Sequence, residues 1–321
     1  MPLVSIVVPA YNEAATLPIF HERLVEALEP LKAKVSFELL FINNGSTDGT
    51  LAFLEGLRKD DDRIRIVTLS RNFGYQAAIT AGLTLARGDA VCCIDSDGED
   101  PPVVMASFIE RWLEGGADVV YGVRGKRPES ALMQLARKIY YRFTRATADH
   151  EIVLDMAEFA LLDRRVRDAV LATRSTFPFV RGQVGYVGFR RVGIKYDREA
   201  RLGGRSHYNL VRAAQFGMGG ILSSSTMPLR LLAYGAGVVI PLALAVFLVA
   251  GVDAVRTHRV DLVGIAAMVT AILLLWIVMG IGILAMYVAR IYKDQVGLPL
   301  YVVDRKRSFL GEDHDDGDRT R

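Results

Sequence analysis

Two long apolar segments near the carboxyl end of the chain constrain its fold more than any other feature. They run over residues 229–251 and 262–289, and apart from Arg230 at the start of the first they contain no charged residue. A helix needs about 20 residues to cross about 30 Å of hydrocarbon, and a helix of a soluble protein normally keeps a polar side. Since only residues 252–261 separate the segments, we predict two membrane-spanning helices joined as a hairpin.

The basic residues around this hairpin are distributed unevenly. Lys and Arg favour the cytoplasmic ends of membrane helices. The connecting loop holds only Arg256 and Arg259, whereas the outer ends are flanked by Arg230, Arg290, Lys293, Arg305, Lys306 and Arg307. We therefore expect a cytoplasmic domain over 1–227, the hairpin over 228–290 and a cytoplasmic tail over 291–321. The amino terminus lacks a basic stretch before its first apolar run, so we expect a strand there and not a signal peptide.

The first 122 residues alternate between short β-branched runs and helical patterns. The runs lie at 4–8, 39–42, 64–69, 90–94 and 118–121, and the helical patterns at 14–28, 50–58, 75–86 and 103–113. Strands that are apolar along their whole length are buried on both faces, as in a parallel sheet. The alternation predicts an α/β domain with a mostly parallel, Rossmann-like sheet.

Acidic residues follow the fourth predicted strand. In open α/β sheets, ligands bind beyond the carboxyl ends of the strands. Asp95 and Asp97 lie at such an end, with Glu99 and Asp100 close behind. Two carboxylates two residues apart in a loop can converge on one hard cation, so this is a candidate site for Mg²⁺ or Mn²⁺. An acidic surface turn is the alternative interpretation of the same pattern.

Charge and cysteine content narrow the function classes. A formal net charge of +3 gives no support to nucleic-acid binding. Cys92 and Cys93 are adjacent in an apolar run, so we expect two buried free thiols.

The segment 129–147 has a helical, basic and aromatic pattern. It fits either a surface helix packed on the core or a helix lying at an anionic membrane surface.

Several motifs, in one order along the chain, resemble a known family. They are VSIVVPAYNE at 4–13, FINNGSTDGT at 41–50, LSRNFGYQAA at 69–78, DSDGEDPP at 95–102, RLGGRSHY at 201–208 and ARIY at 289–292. Over about 3–303 the chain is similar to the inverting family 2 glycosyltransferases with the GT-A fold. It resembles most the polyprenyl-phosphate glycosyltransferases, such as bactoprenol glucosyltransferase and dolichol-phosphate mannose synthase.

The resemblance implies a nucleotide-sugar donor site. Residues that would line its nucleotide pocket are Pro9, Tyr11, Glu13 and Asn44. Asp95 would face the nucleotide or the sugar, and Asp97 would be the principal metal ligand with Glu99 beside it. Arg201 and Ser206 would close over the donor diphosphate on a loop.

The resemblance also implies an acceptor side. Arg124 and Ser130 would bind the acceptor phosphate, and Asp155 and Glu158 would be acceptor-side acids, which together with Asp95 and Asp97 we predict as catalytic. This sequence departs from the family pattern at several of these places. The departures are Asn44 and Glu158 for Asp, Glu99 for Gln, Ala160 for Arg and His207 for Lys.

The expected activity is the inverting, metal-dependent transfer of one sugar onto polyprenyl phosphate, with Mg²⁺ or Mn²⁺ as cofactor. UDP-glucose or another UDP-hexose is the first expectation for the donor. By the same resemblance we expect the protein to lie in the plasma membrane of a bacterium, and membrane members of the family often assemble as homotetramers. A processive polymerase fits less well, because the sequence lacks a Q-x-x-R-W motif and further spans. An inactive, donor-binding membrane partner is the other alternative, kept open by Asn44 and Ala160.

Overall fold

One mixed sheet organises the amino-terminal part of the computed structural model, which describes residues 1–125, 142, 156–173, 178–203, 225–257 and 262–310. Its seven strands lie in the order β3-β2-β1-β4-β6-β5-β7. They are β1 Leu3–Ala10, β2 Ser36–Asn43, β3 Ile64–Thr68, β4 Ala90–Cys93, β5 Val119–Arg124, β6 Met156–Asp163 and β7 Arg191–Tyr196. All neighbours pair in parallel except β6, which runs antiparallel to β4 and β5. The predicted α/β class with a mostly parallel sheet is confirmed.

Helices cover both faces of the sheet. They are α1 Leu17–Leu28, α2 Thr50–Asp60, α3 Tyr75–Leu85, α4 Pro102–Leu113, α5 Arg164–Ala172 and α6 Val180–Val187. Successive strand residues point to opposite faces. Ile6 of β1 therefore packs with Phe20 of α1 and Phe108 of α4, whereas Val7 packs with Ala78 of α3. Burial on both faces is the reason that these strands are apolar along their whole length.

The sequence patterns anticipate the first four helices but miss β6. Helix α1 begins at Leu17 and not at residue 14, because Glu13 first forms a turn in which its carbonyl accepts from the backbone N–H groups of Thr16 and Leu17. Strand β6 inserts between β4 and β5, with Ala160 opposite Cys93 on one side and Tyr121 on the other. Such a pairing depends on residues far apart in the chain, which local periodicity does not report.

Two long helices, α7 (Met227–Thr257) and α8 (Leu262–Val296), pack against each other as a hairpin. The most apolar 18-residue stretches of the two helices have mean hydropathies of 2.5 and 2.6, and only 6% of each stretch is buried inside the protein. Large apolar side chains such as Leu248 and Leu275 are consequently exposed. Both helices are long and apolar enough to cross a membrane, and they contain the predicted spans at 229–251 and 262–289.

The chain returns from α8 to the sheet. Residues 301–310, called the strap here, run antiparallel along the free side of β3. Ile66 and Phe309 exchange two backbone hydrogen bonds, and Ser70 N donates to Val302 O at 2.9 Å. The Ser308 hydroxyl accepts from Thr68 N at 2.9 Å. This part of the predicted tail therefore covers the edge of the sheet at β3.

Candidate active site

The loops after β1 and β2 are held together at the carboxyl edge of the sheet. Asn12, which has a positive φ of 57°, donates its backbone N–H to Ser46 Oγ at 3.0 Å. Its side-chain Oδ1 accepts from Thr47 N at 2.8 Å. Glu13 N donates to Thr50 Oγ1 at 2.9 Å, and Thr16 Oγ1 donates to the Glu13 carboxylate at 2.5 Å. These contacts fix the backbone that follows Tyr11, a residue that is 44% exposed.

Asn44 connects the loop after β2 to the loop after β3. Its Nδ2 donates to Gly74 O at 3.1 Å and to Asn72 Oδ1 at 3.3 Å, and its Oδ1 accepts from Phe73 N at 3.0 Å. At Gly45 (φ 71°), a Cβ would lie 2.4 Å from the backbone of Arg71, so the two loops meet backbone to backbone. The side chain of Asn44 is thus used by the protein itself, as an amide that both donates and accepts.

Asp95 contacts the amino-terminal end of α3. It accepts a hydrogen bond from the Tyr75 hydroxyl at 2.6 Å. Burial raises the pKa of Asp95 to about 7, and the Asp100 and Asp97 charges add to that effect, while the Tyr75 hydrogen bond and Arg124 oppose it. Pro9, the remaining predicted nucleotide residue, is buried near the end of β1 and accepts from Ser96 Oγ at 3.1 Å through its carbonyl.

The acidic loop after β4 meets a basic loop that follows β7. Arg201 Nη2 donates to Asp97 Oδ2 at 3.0 Å, and Arg198 Nη1 lies 2.5 Å from Glu99 Oε2. Backbone contacts join the same loops, with Leu202 N donating to Asp97 O at 3.1 Å. At Gly98 (φ 76°), a Cβ would lie 2.5 Å from Leu202, so glycine is needed for this approach.

The carboxylates present fit a divalent cation as a partial ligand set. Asp97 and Glu99 offer the hard oxygen donors that Mg²⁺ and Mn²⁺ take. Within the described residues, however, no three His, Cys, Asp or Glu side chains converge as a complete site. The diphosphate of a donor and water would have to supply the other ligands. The arginines now on both carboxylates would have to move aside.

Glu158, on β6, faces the amino-terminal end of α3. Its Oε1 accepts from Gln76 Nε2 at 2.8 Å, and Arg181 lies 4.0 Å from its other oxygen. The Oε1 of Gln76 in turn accepts from Val180 N at 3.1 Å, which ties α3 to α6. Because Tyr75 and Gln76 are consecutive, one end of α3 holds both Asp95 and Glu158. Ala160, two residues along β6, is buried and packs in the core.

Arg124 ends β5 close to the acidic loop. Its Nη2 donates to Asp100 Oδ2 at 3.3 Å and its Nε to the Tyr196 hydroxyl at 3.4 Å. Burial acts against the charge of Arg124, but the Asp100 carboxylate raises the pKa of the guanidinium above its usual value. The structure thus brings Arg124 to the same cluster as Asp97 and Glu99.

Some predicted site residues lie outside the described part of the chain. These are Ser130, Asp155 and Ser206, together with His207 and, except for Arg142, the segment 129–147.

The structure also adds residues that the sequence did not single out. Tyr75, Gln76, Tyr196 and Arg198 all contact predicted site residues, namely Asp95, Glu158, Arg124 and Glu99 in that order. Tyr75 and Gln76 belong to a quoted motif, which could have pointed to them. Tyr196 and Arg198 lie in no quoted motif. Arg198 belongs to a basic loop, whereas Tyr196 ends β7 and has no local sequence signal.

Comparison with known proteins gives a matching family model and several similar proteins. A family model described as "Glycosyl transferase family 2" matches residues 5–171. A Bacillus subtilis protein named as an uncharacterized glycosyltransferase, YkcC, is 36% identical over 94% of this chain and 93% of its own length. An Escherichia coli protein named "Prophage bactoprenol glucosyl transferase homolog" is 30% identical over 94% of this chain and 98% of its own. The "Bactoprenol glucosyl transferase" of Shigella phage SfX is 30% identical over 95% and 99%.

Among solved structures, one similar chain is glucosyl-3-phosphoglycerate synthase from Mycobacterium tuberculosis, crystallised with Mn²⁺, uridine diphosphate and phosphoglyceric acid. It is 21% identical, covers 69% of this chain and 76% of its own length, and superposes with a TM-score of 0.48.

Proposed function

The chain belongs to glycosyl transferase family 2 and is a glycosyltransferase, and we propose that it transfers one sugar from a nucleotide-sugar to a polyprenyl phosphate. The donor would be UDP-glucose or another UDP-hexose, and the anomeric centre would invert. The product would be a lipid-linked sugar. Support comes from the relatives named bactoprenol glucosyl transferase, whose alignments extend over nearly the whole chain and so include the apolar hairpin.

The observation that carries the proposal is a cluster of acids and arginines at the carboxyl edge of the sheet, in a chain that also forms an apolar hairpin. Carboxylates from the loop after β4 face Arg124, Arg198 and Arg201 within one cluster. Such a cluster suits two anionic reactants, while α7 and α8 suit a lipid environment. A phosphate carried on a long lipid combines both requirements.

The acceptor needs binding more than activation. A phosphate monoester oxygen is already anionic near neutral pH, so it can attack the sugar without a strong general base. Arg124 can bind that phosphate through its planar fork. Holding the attacking oxygen on the face of the sugar opposite the diphosphate supplies proximity and gives inversion. We assign Glu158 and Asp155 to this acceptor side.

The leaving diphosphate needs compensation of its charge. Arg201 and Arg198 lie on the loop that faces the acidic residues, and they can turn from Asp97 and Glu99 to phosphate oxygens. Asp97 and Glu99 would then hold Mg²⁺ or Mn²⁺, which would neutralise charge on the departing nucleoside diphosphate. Tyr11, Glu13 and Asn44 lie on the loops at the nucleotide end, and Asp95 lies between them and the acceptor side.

We further propose that α7 and α8 span a bacterial plasma membrane with the catalytic domain and the tail in the cytoplasm. The bias of Arg and Lys toward the outer ends of the hairpin supports this orientation. The strap supports it as well, because it connects the end of α8 directly to the catalytic sheet. Both ends of the hairpin therefore lie on the same side as the domain.

Membranes containing the chain test the proposal when they are incubated with undecaprenyl phosphate and a panel of nucleotide-sugars. Mass spectrometry of the extracted lipids should show one new polyprenyl-phosphate hexose that depends on a divalent cation. Asp97→Asn should abolish it, whereas Asp62→Asn, at an exposed carboxylate in the turn after α2, should not. No lipid product from any donor, with nucleotide-sugar binding retained, would instead support the inactive, donor-binding alternative.

A further inference from the structure

Asp100 is a buried carboxylate near the end of the acidic loop that follows β4. Its side chain is 1% exposed, and three groups donate to it. The Tyr196 hydroxyl donates to Oδ1 at 2.5 Å, Arg198 Nε to the same oxygen at 3.2 Å, and Arg124 Nη2 to Oδ2 at 3.3 Å. A buried carboxylate is costly unless it is paired and hydrogen-bonded. Asp100 is thus paired and hydrogen-bonded by partners from the end of β5, from β7 and from the loop after it.

Tyr196 contacts both members of the Asp100–Arg124 pair. Its hydroxyl donates to Asp100 and accepts from Arg124 Nε at 3.4 Å. Its ring packs edge-on against Phe159 of β6, with centroids 5.6 Å apart, and the residue is 7% exposed. The position of the hydroxyl is therefore set by the core of the sheet and not by a surface loop.

Arg124 is restrained on one side and open on the other. Asp100 and Tyr196 take Nη2 and Nε, yet 25% of the Arg124 side chain stays exposed. A guanidinium has five N–H donors, so an arginine held in this way can still offer donors to an anion. Restraining the side chain before binding removes much of the rotamer entropy that an arginine otherwise loses.

We propose that Asp100 and Tyr196 are positioning residues that hold Arg124 ready for the acceptor phosphate. The inference rests on the proposed function, because it takes polyprenyl phosphate as the ligand of Arg124. It assigns no direct contact with either substrate to Asp100 or Tyr196. The competing interpretation is a structural brace, in which the cluster only joins β5 to β7.

Tyr196→Phe separates the two interpretations, since it removes the hydroxyl and keeps the ring that packs on Phe159. We expect a rise of about tenfold in the Kd of the full-length, detergent-solubilised protein for farnesyl phosphate, the size of effect that follows from losing a hydrogen bond to a charged group. The KM for polyprenyl phosphate should rise in parallel, while the KM for the nucleotide-sugar stays the same. Tyr186→Phe, at a 65% exposed tyrosine on α6, is the matched control and should change neither constant.

Two further variants make the test decisive. In an Arg124→Lys background, which lacks the guanidinium fork, Tyr196→Phe should weaken farnesyl phosphate binding by much less than tenfold, because both changes act through one contact. Asp100→Asn should resemble Tyr196→Phe in its effect on the acceptor constants, provided that it folds. A Tyr196→Phe protein with a lower melting temperature but unchanged farnesyl phosphate binding would overturn the inference in favour of the structural brace.

The same measurements distinguish this inference from the proposed function. If the wild type binds farnesyl phosphate and Tyr196→Phe weakens that binding, but no lipid-linked sugar forms, the transfer reaction is wrong and the positioning role stands. If the wild type forms the lipid product and Tyr196→Phe leaves both acceptor constants unchanged, only the positioning role is wrong. A wild type that does not bind farnesyl phosphate overturns both.

Discussion

Arg201 places its guanidinium on Asp97, with Nη2 3.0 Å from the carboxylate Oδ2. Asp97 is the residue that the sequence predicts as the principal metal ligand, so a cation of the protein lies where a divalent ion would bind. The Arg201 side chain is about one third exposed, at 34%, and it belongs to a loop outside the sheet. It can therefore exchange Asp97 for a diphosphate without disturbing the core.

Replacing Arg201 with Gln should tighten Mn²⁺ binding in the absence of donor. The variant loses the positive charge that competes with the ion for Asp97. For a partly exposed ion pair the expected gain in affinity is roughly twofold to fivefold. Electron paramagnetic resonance of free Mn²⁺, titrated with detergent-solubilised protein, measures it. Affinity for the nucleotide-sugar should fall in the same variant.

Arg111→Gln is the control for that experiment. It removes the same charge from an exposed pair with Glu114 at the end of α4. Its Mn²⁺ affinity should equal that of the wild type. A weaker Mn²⁺ affinity in Arg201→Gln would contradict competition between the arginine and the ion.

Asn44→Asp restores the residue that the family pattern has, yet it should destabilise this protein. An ionised carboxylate cannot donate to Gly74 O or Asn72 Oδ1, and it would place a negative oxygen against both acceptors. For a buried site the expected cost is about 1–3 kcal/mol in the free energy of unfolding. Thermal unfolding and the KM for the nucleotide-sugar should be measured together. A changed KM at an unchanged melting temperature would indicate a direct nucleotide contact instead.

A chain ending at residue 300 should be less stable than one ending at residue 310. The shorter chain loses the strap and with it the backbone hydrogen bonds to Ile66, Thr68 and Ser70. At about 1 kcal/mol for each bond, the loss amounts to several kcal/mol, and it uncovers an edge that can pair with other chains. Melting temperature and size-exclusion profiles measure both effects. Equal stability of the two chains would show that the strap adds nothing.

Asp118→Asn should lower stability at neutral pH and have less effect in acid. A hydrogen bond from Arg190, together with the charge of Arg165, holds the pKa of Asp118 below its usual value despite burial. A lowered folded-state pKa gives stability that is present above the unfolded pKa and is lost as the pH falls through the folded value. The gap in melting temperature between wild type and variant should therefore shrink below about pH 4. Asp62→Asn should show no such trend.

Local patterns predict the parts of this fold that depend on neighbouring residues. The apolar runs of β1 to β4 and the helical patterns between them are in the structure with small shifts at their ends. Local patterns do not predict strand β6, because its sequence includes Glu158 and because it pairs with strands far away in the chain. Local patterns do not predict the strap either, because its residues have the pattern of a polar tail and gain their structure only by pairing with β3.

The candidate site likewise has residues that the sequence predicts and contacts that it does not. Asp95, Asp97 and Glu99 could be predicted because strand ends place them at the ligand-binding edge, and Arg124 and Arg201 because motifs contain them. The side chain that pairs with each acid could not be predicted from the sequence. Which arginine lies on which carboxylate depends on how closely the loop of Leu202 approaches Gly98, which only the folded chain determines.

The strap also decides how the sheet can be extended. A main-chain edge that already has a neighbour offers no free N–H or C=O groups to another polypeptide. Within the described part of the chain, β7 is then the terminal strand left for such an addition, and it carries the exposed charge of Lys195 at its outer end. Copies of this protein should consequently not pair strand to strand at β3, and the charge of Lys195 disfavours such pairing at β7.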